Sequence, residues 1–337
     1  MRKARLLLLF LLLSAAAARA EDPAWKAVWR SEEAPARVSL SGRVRTKATL
    51  EGKPREATAE VYVSHGKLRL DYQAGARHWS LLDNGQNLIR LQPDQKRARV
   101  LRRPQLAFDR ALAERNYVAR RTRTDTVAGR PVDVIEIAPR GHGNPVWRLW
   151  VDRASSFVLK REQYNVDGRL TTATEYLAVD FSARPAAQLF ETPADYTREP
   201  EQVRGERLGL EALVARAGFP VRRPRYLPPG YVFLSGSFRP EAREPRAEAR
   251  ARLRGSPSGP AATLRYTDGL RILSIVQRPA QLPRGNTARR GRAPENPLEV
   301  VDRGDEKVLR RRAGDRVIVV VGDLTQDELV RVANGVE

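Results

Sequence analysis

The chain has 337 residues, of which 41% are hydrophobic, so it can form about two domains with apolar cores and is not disordered throughout. It contains no cysteine, which excludes disulfides, thiol catalysis and a lipid-modified cysteine anchor. The formal net charge of +21 favours anionic partners such as acidic headgroups, nucleic acid or an acidic protein. Eight of the 61 basic residues are lysine, so the excess also fits the arginine bias of a GC-rich genome.

Residues 1–20 have the pattern of a secretory leader. A basic start precedes an apolar run from Leu6 to Leu13, and the small-residue end is Ala18-Arg19-Ala20, as in a cleavable signal peptide. The apolar run is shorter than the roughly 20 residues that a bilayer-spanning helix needs. We therefore expect export to the periplasm or the cell exterior, where nucleic acid is not an expected partner.

Residues 24–196 are predicted to form one strongly curved antiparallel sheet with helices placed against it. The first helix, within residues 21–34, carries an apolar stripe that includes Trp25 and Trp29, and a second helix is expected within 105–116. The remaining stretches alternate apolar and polar residues and are joined by turns. These turns are centred on His65-Gly66, Asn84-Gly85, Pro93-Asp94, Gly129-Arg130 and Asp167-Gly168.

Several predicted strands carry apolar groups on both faces. Trp147 and Leu149 lie on one face of their strand, and Val146 and Trp150 lie on the other. A sheet with one packed face and one solvated face should alternate more cleanly. Both faces therefore need a cover, and the helices alone do not account for it.

Residues 197–207 are polar and are predicted to link the sheet to a smaller α+β domain at 208–337. Long loops rich in arginine and proline are expected at 241–260 and 279–297. Alternating stretches between these loops predict the strands of the second domain.

The smaller domain is predicted to begin and end with a helix. The first ends at Gly218, a residue type that commonly terminates helices. The last begins at Thr325, and Glu328 three residues later completes a capping box. The inward side of the first helix is expected to comprise Leu208, Leu213, Val214 and Ala217.

The sequence contains no pattern of a catalytic or metal site. His65, His78 and His142 are far apart and lie in or beside predicted turns, so a metal site would need all three to converge. A Gly-x-Ser-x-Gly elbow and a glycine-rich phosphate loop before a helix are both absent. We expect neither catalysis, nor a metal, nor a cofactor. An enzyme built on paired carboxylates stays open, because distance in the fold defines such a pair.

Two sets of short motifs support a resemblance to a known family. The first set is Ala128-Gly129-Arg130, Trp150-Val151-Asp152, Leu159-Lys160-Arg161-Glu162, Asp167-Gly168 and Phe190-Glu191. The second set is Leu227-Pro228-Pro229-Gly230-Tyr231, Tyr266-Thr267-Asp268-Gly269-Leu270, Leu273-Ser274-Ile275 and Val321-Gly322. In their order these motifs resemble the MucB/RseB family, periplasmic regulators of an envelope-stress sigma factor. More distantly, the first set is similar to LolA/LolB-like lipoprotein carriers.

The resemblance implies an α+β protein with a LolA-like antiparallel half-barrel wrapped around helices, open on a concave apolar side, and a smaller α+β domain. It implies that the cleft binds acyl chains of a lipoprotein or lipopolysaccharide. It also implies that the protein binds the periplasmic part of a membrane-spanning anti-sigma factor and controls its proteolysis. A lipid or lipoprotein carrier is the alternative, followed by a structural or polyanion-binding envelope protein, and a homo-oligomer stays open.

Candidate residues follow for both kinds of contact. Apolar strand residues at this spacing also fit a plain core, and Asp268-Gly269 also fits a simple turn. The candidates for the acyl cleft are Leu68, Leu70, Trp79, Leu81, Ile89, Trp147 and Leu149. The candidates for partner contact are Tyr266, Asp268 and Arg271.

Overall fold

The structure is a computed structural model, and it describes residues 22–336 except 51, 75–76, 103–108, 142, 201–205, 241–258, 281–297 and 305. The predicted leader and His142 lie outside the described residues. Most of the two long loops, the first part of the second predicted helix and the middle of the predicted linker also lie outside them.

Within the described ranges, twelve strands form the first sheet. They are β1 (Ser39–Leu50), β2 (Lys53–Ser64), β3 (Lys67–Ala74), β4 (Arg77–Asp83), β5 (Asn87–Gln92), β6 (Arg97–Arg102), β7 (Tyr117–Val127), β8 (Arg130–Pro139), β9 (Trp147–Asp152), β10 (Val158–Tyr164), β11 (Leu170–Asp180) and β12 (Thr197–Pro200). Their spatial order is β12-β6-β5-β4-β3-β2-β1-β11-β10-β9-β8-β7. Strands that follow one another along the chain are mostly neighbours, as tight turns require.

The predicted turns fall between strands of this sheet, and several contain residues with positive φ. Asn84-Gly85 joins β4 to β5, and Gly85 has a φ of +89°. The prediction was wrong at the end of the sheet, where Thr197–Pro200 was assigned to a linker. These residues pair in parallel with β6, because the chain returns to that edge and satisfies its backbone hydrogen-bonding groups.

Among the described residues, two short α-helices accompany the first sheet. Helix α1 (Pro23–Glu33) begins after Asp22, whose carboxylate accepts a hydrogen bond of 2.9 Å from the backbone N–H of Ala24. Helix α2 (Arg110–Asn116) begins after Asp109, whose carboxylate accepts one of 2.9 Å from Leu112. Both are capped as helix N-termini require. In the part of the chain that the structure describes, no helix is long and apolar enough to cross a membrane.

The second sheet contains six strands among the described residues. They are β13 (Val232–Arg239), β14 (Ala261–Thr267), β15 (Ile272–Pro279), β16 (Glu299–Asp302), β17 (Lys307–Ala313) and β18 (Arg316–Gly322), in the order β13-β14-β15-β18-β17-β16. Helices α3 (Leu210–Ala217) and α4 (Gln326–Asn334) pack on it. The α+β class with a smaller second sheet is confirmed.

The predicted helix caps of the smaller domain are confirmed, but one predicted core residue is not. Gly218 ends α3 with a φ of +67°, and Thr325 with Glu328 forms the capping box of α4. Leu213 and Ala217 are buried, whereas Val214 is exposed. Residues four apart share one face of a helix, so the pair that faces the sheet leaves Val214 pointing away from it.

Three groups of buried side chains make up the core of the first domain. The helix-side cluster packs Trp25, Val28 and Trp29 of α1 onto β7, β8 and β9. The inner cluster packs residues of β1 and β2 against Trp150, Phe157 and other residues of β8 to β11. A third group lies at the β4-β5-β6 end. The apolar groups on both faces of the strands therefore have protein neighbours over much of the sheet.

Candidate functional site

A half-buried apolar surface crosses β3 and β4. Leu68, Leu70 and Tyr72 of β3 stand opposite Asp83, Leu81 and Trp79 of β4 in the strand register, so their side chains share one face. The rings of Tyr72 and Trp79 stack with centroids 3.8 Å apart and planes inclined by 11°. We call Leu68, Leu70, Tyr72, Trp79 and Leu81 the apolar strip.

The strip lies at the border of the inner cluster and keeps part of its surface accessible. Leu68, Leu70 and Tyr72 pack against that cluster but remain partly exposed. The guanidinium of Arg90 on β5 lies 5.1 Å from the centre of the Trp79 ring, within reach of a cation–π interaction. The strip therefore offers an apolar contact surface, while the adjacent interior is filled by side chains of the inner cluster.

The structure does not bring the other predicted cleft residues to this strip. Trp147 and Leu149 are 7% and 1% exposed and belong to the helix-side cluster, under Trp25 and Trp29. Ile89 pairs with Leu82 on the opposite face and is buried in the third core group. These three residues are core because α1 and the segment around Phe190 cover them. For these three candidates the structure favours the plain core that their spacing also fitted.

A separate opening of about 510 Å³ lies beside the N-terminus of α1. Its walls are Asp22, Pro23 and Ala24 from the start of that helix, and Ala119, Arg120 and Arg121 from β7. Strand β7 is at the far edge of the sheet from β3 and β4. Three of these lining residues are charged, and the opening has no part in the strip.

The turn between β14 and β15 inserts into the first domain. The hydroxyl of Tyr117 donates a hydrogen bond of 2.5 Å to the Asp268 carboxylate. The side-chain amide of Asn116 donates to the backbone carbonyls of Asp268 at 2.8 Å and of Gly230 at 3.1 Å. Leu270 packs against the helix-side cluster. The Asp268-Gly269-Leu270 motif is therefore a docking element between the two domains.

Glycine is required where this turn meets helix α2. Gly269 has a φ of +103°, and a Cβ there would lie 2.5 Å from the backbone nitrogen of Ala113. Gly230 has a φ of +88°, and a Cβ there would lie 2.8 Å from the side chain of Asn116. Both glycines thus combine a conformation that other residues rarely adopt with a close approach between domains.

A second contact joins the β10–β11 turn to the smaller domain. The backbone N–H of Val166 donates a hydrogen bond of 2.7 Å to the Asp323 carboxylate, and the side-chain amide of Asn165 donates one of 2.9 Å to the backbone carbonyl of Gly304. The ammonium of Lys307 lies 2.8 Å from the Asp167 carboxylate. The Asp167-Gly168 turn, like the Asp268-Gly269 turn, therefore contributes to domain contact.

Three titratable groups at these contacts have pKa values shifted from their ordinary values. The hydrogen bond from Lys307 lowers the pKa of Asp167. Burial raises the pKa of Asp323, although Arg271, whose Nε lies 2.9 Å from this carboxylate, acts in the opposite direction. Burial and then the Asp268 charge raise the pKa of Tyr117. Burial and neighbouring charges therefore shift the pKa values of these three groups away from their ordinary values.

The three predicted partner-contact residues have neighbours within the chain. Tyr266 is fully buried in the core of the smaller domain, where its ring meets Phe233 edge to face at 5.7 Å. Asp268 is bound by Tyr117, and Arg271 pairs with Asp323. Because these side chains are engaged at the domain contact or in the core, we do not propose them as anti-sigma contacts.

Groups able to hold a metal are absent from the described residues. Among the histidines, His65 has a positive φ of 45° in the β2–β3 turn and lies near the hydroxyls of Ser39 and Ser64, each 3.4 Å from its Nδ1. His78 is exposed on β4. Their positions are those of turn and surface side chains.

Sequence reasoning missed the residues that receive the docking turn, and it missed Arg161, an arginine whose Nε is buried. Asn116 and Tyr117 gave no signal, because Asn116 ends a short helix, Tyr117 begins a strand, and both residue types are ordinary at such positions. Arg161 was noted within a motif without a role. It lies two residues after the buried Leu159, and a charged residue so close to buried apolar positions is a signal that the sequence does contain.

This chain is similar to known proteins in sequence and in fold. Residues 66–194 match the family model of the MucB/RseB N-terminal domain. The sigma factor AlgU regulatory protein MucB of Pseudomonas aeruginosa is 28% identical over 232 residues, which cover 68% of this chain and 63% of that protein. The chain thus spans less than two thirds of the length of this curated relative.

Two solved structures share the fold over both domains. The structure of the Pseudomonas aeruginosa MucA/MucB complex matches with a TM-score of 0.63 and 20% identity, and covers 93% of this chain and 97% of that one. A structure of MucB in complex with MucA(peri) matches with a TM-score of 0.62 and 20% identity, over 93% and 98% of the two chains. The shared fold includes the second sheet as well as the first.

The fold and the docked second domain define a two-domain α+β protein without a recognisable catalytic centre in its described residues. Residues 66–194 are similar to the MucB/RseB N-terminal domain, and both sheets share the fold of the MucB structures. The predicted resemblance of this chain to MucB/RseB proteins is therefore confirmed.

Proposed function

We propose that this chain is a periplasmic regulator that binds the periplasmic part of a membrane-spanning anti-sigma factor and controls its proteolysis. One observation carries the proposal: both domains match MucB solved with MucA, over 93% of this chain. The leader pattern at residues 1–20 supports the periplasmic location. The name of the 28% identical relative, a sigma factor regulatory protein, points to the same role.

The charge of the chain suits such a partner. Without the four basic residues of the predicted leader, the net charge falls from +21 to +17; this excess still favours an acidic extended segment, and attraction between opposite charges speeds encounter. The contacts at Asp268 and Asp323 hold both domains together, so one extended partner can contact both sheets at once. Because salt screens the attraction between opposite charges, the affinity for this partner is expected to fall as the salt concentration rises.

The binding test uses the mature chain and the periplasmic segment of the anti-sigma factor encoded in the same genome. Isothermal titration should show a 1:1 complex, and the bound segment should resist a protease that cleaves it when it is alone. The absence of heat and of protection at about 100 µM, where even a weak specific complex forms, would contradict the proposal.

We propose further that the apolar strip contacts the acyl chains of a lipoprotein or of lipopolysaccharide, which would signal envelope damage. Burying each methylene yields about 0.8 kcal/mol, so a few of them give useful affinity without any reactive group. The partly exposed Trp79 and Tyr72 rings supply the contact area. This surface lies at the border of the inner cluster, so the ligand need not open the core.

Trp79→Glu tests this second part, with Leu177→Glu as the matched control. Leu177 is also a partly accessible apolar residue, 40% exposed on β11, but is outside the strip. Trp79→Glu should weaken binding of a decyl maltoside probe about tenfold and leave the protein folded, whereas the control should bind normally. Equal binding by both variants would remove the strip from the proposal.

The carrier alternative makes a different forecast in the same experiments. A lipid or lipoprotein carrier would use the strip to move alkyl chains between membranes and would not protect an anti-sigma segment. Transfer of a labelled lipid between vesicles, together with failure of the titration, would favour the carrier.

A further inference from the structure

An arginine without a carboxylate partner lies on the strip's side of the first sheet. Arg161 of β10 is partly exposed, but its Nε is buried and has no hydrogen-bond acceptor in the described part of the chain. Its guanidinium carbon lies 4.1 Å from the centre of the Trp147 ring. Stacking on an indole stabilises the charge, but it satisfies none of the guanidinium donors.

Other arginines nearby are paired with acids. Arg148 on the adjacent strand lies 2.9 Å from Glu136, and Arg130 lies 2.7 Å from Asp152. For Arg161, Glu32 at the exposed end of α1 acts only as a longer-range charge. Burial lowers the pKa of Arg161. A buried donor without an acceptor costs free energy. An anion that accepted a hydrogen bond from Arg161 would remove this cost.

Hydroxyl groups lie next to Arg161 on the same face. Thr174 of β11 is directly opposite Arg161, and Thr46 of β1 is directly opposite Thr174. The two threonine hydroxyls are 3.2 Å apart and both residues are partly exposed. Arg161 and these two threonines occupy adjacent positions in the strand register, and guanidinium and hydroxyl groups are donors suited to phosphate oxygens.

This donor set and the apolar strip share one face of the sheet. Arg161, Thr174, Thr46 and Ala57 stand opposite one another on four neighbouring strands. Ala59, two residues after Ala57 and therefore on the same face, starts a second row that continues through Tyr72 to Trp79. Four strand spacings separate β10 from β3, which is about 19 Å along the sheet. A ligand that reaches both ends needs a charged head and a long alkyl chain.

We propose that Arg161, with Thr46 and Thr174, forms the subsite for the phosphate head of an amphiphile whose alkyl chain lies on the apolar strip. This inference rests on the proposed acyl-binding function, which supplies the apolar half of the site. The chemistry recognised is a phosphate, whether it belongs to a lipid headgroup or is free in solution.

The experiment compares decyl phosphate with uncharged decyl maltoside, both below their critical micelle concentrations, by titration calorimetry on the mature chain. Decyl phosphate should bind at least about tenfold more tightly, as a charge-assisted hydrogen bond predicts. Arg161→Gln should remove this preference without weakening decyl maltoside, and Arg161→Lys should keep part of it. Inorganic phosphate should compete only weakly, because it lacks the alkyl chain; strong competition would identify a free phosphate site instead.

Arg43→Gln is the matched control, because it removes the same charge from an exposed residue on the other face of β1. It should leave both affinities unchanged. Thermal unfolding without ligand adds a second readout: Arg161→Met should be at least as stable as the wild-type chain, since it removes a buried donor without an acceptor.

The outcomes separate the two proposals. If both probes bind with equal affinity and Arg161→Gln changes neither, the phosphate subsite is wrong while the strip survives. If neither probe binds, the acyl-binding proposal fails and the subsite fails with it. If Arg161→Gln does not fold, the wild-type preference for decyl phosphate and its retention in Arg161→Lys decide the matter, and an absence of preference would overturn the inference.

Discussion

Docking of the second domain through the Asp268-Gly269 turn makes a quantitative prediction for Gly269→Ala. A Cβ at this position would lie 2.5 Å from the backbone nitrogen and 2.8 Å from the Cα of Ala113. Backbone atoms of a helix cannot move aside as a flexible side chain does, so the turn or α2 must shift. The positive φ of 103° adds a conformational cost of about 1–2 kcal/mol.

Gly85→Ala separates these two costs. Gly85 has a similar φ of +89°, but a Cβ there would meet nothing within 4 Å. It should therefore lose about 1–2 kcal/mol of unfolding free energy from conformation alone. Gly269→Ala should lose about 1–3 kcal/mol more, the usual cost of forcing extra atoms into a packed contact.

Differential scanning calorimetry measures the loss, and small-angle X-ray scattering measures the separation of the domains. The first transition of Gly269→Ala should occur several degrees below that of Gly85→Ala, given roughly 2–4 °C per kcal/mol for domains of about 150–250 residues. Its radius of gyration should exceed the wild-type value. Equal transitions and equal radii for the two variants would refute the assignment of this turn to domain docking.

Other positions give further expected outcomes. Trp147→Ala should cost about 3–5 kcal/mol of unfolding free energy in urea titrations, as for other buried tryptophans, whereas Trp79→Ala should cost clearly less; equal losses would mean that Trp79 is core. The lowered pKa of Asp167 means that its pair with Lys307 contributes stability above the ordinary carboxyl pKa of about 4 and loses it as the pH falls through the lower folded value. Asp167→Asn should therefore reduce the loss of unfolding free energy that occurs as the pH falls below about 4. The effect should be less than about 1 kcal/mol, because both groups are partly exposed. An unchanged loss of stability at acid pH would contradict this.

Local chemistry in the sequence predicted much of the fold. Thr325 with Glu328, the glycine at 218 and the Asp167-Gly168 turn each act through neighbours within four residues, so their outcome can be read from the chain alone. Helix α1 was predicted for the same reason, from the spacing of Trp25 and Trp29. The α+β class and the two sheets followed from these elements.

The ligand-contact residues could not be predicted in the same way, because they depend on which elements cover which face. Trp147 and Trp79 are both tryptophans in alternating strands, yet α1 covers the first and leaves the second partly exposed. In the sequence, Asp268 fits a simple turn residue. The structure adds a hydrogen bond from the hydroxyl of Tyr117, which lies 151 positions earlier in the chain. Contacts over such separations leave no local pattern.

The same limit applies to the end of the first sheet. Thr197–Pro200 is short and polar, which fits a linker, and it is a strand only because β6 offers an unpaired edge beside it. Its assignment needs the arrangement of the whole sheet, since a parallel pair is formed by segments far apart in the chain.

The central claim is that this chain binds the periplasmic segment of an anti-sigma factor. Titration of the mature chain with that segment, at two salt concentrations, tests the claim most directly. We expect a saturable 1:1 complex whose affinity falls at the higher salt concentration. The absence of any complex at either salt concentration, from a chain shown to be folded, would contradict it.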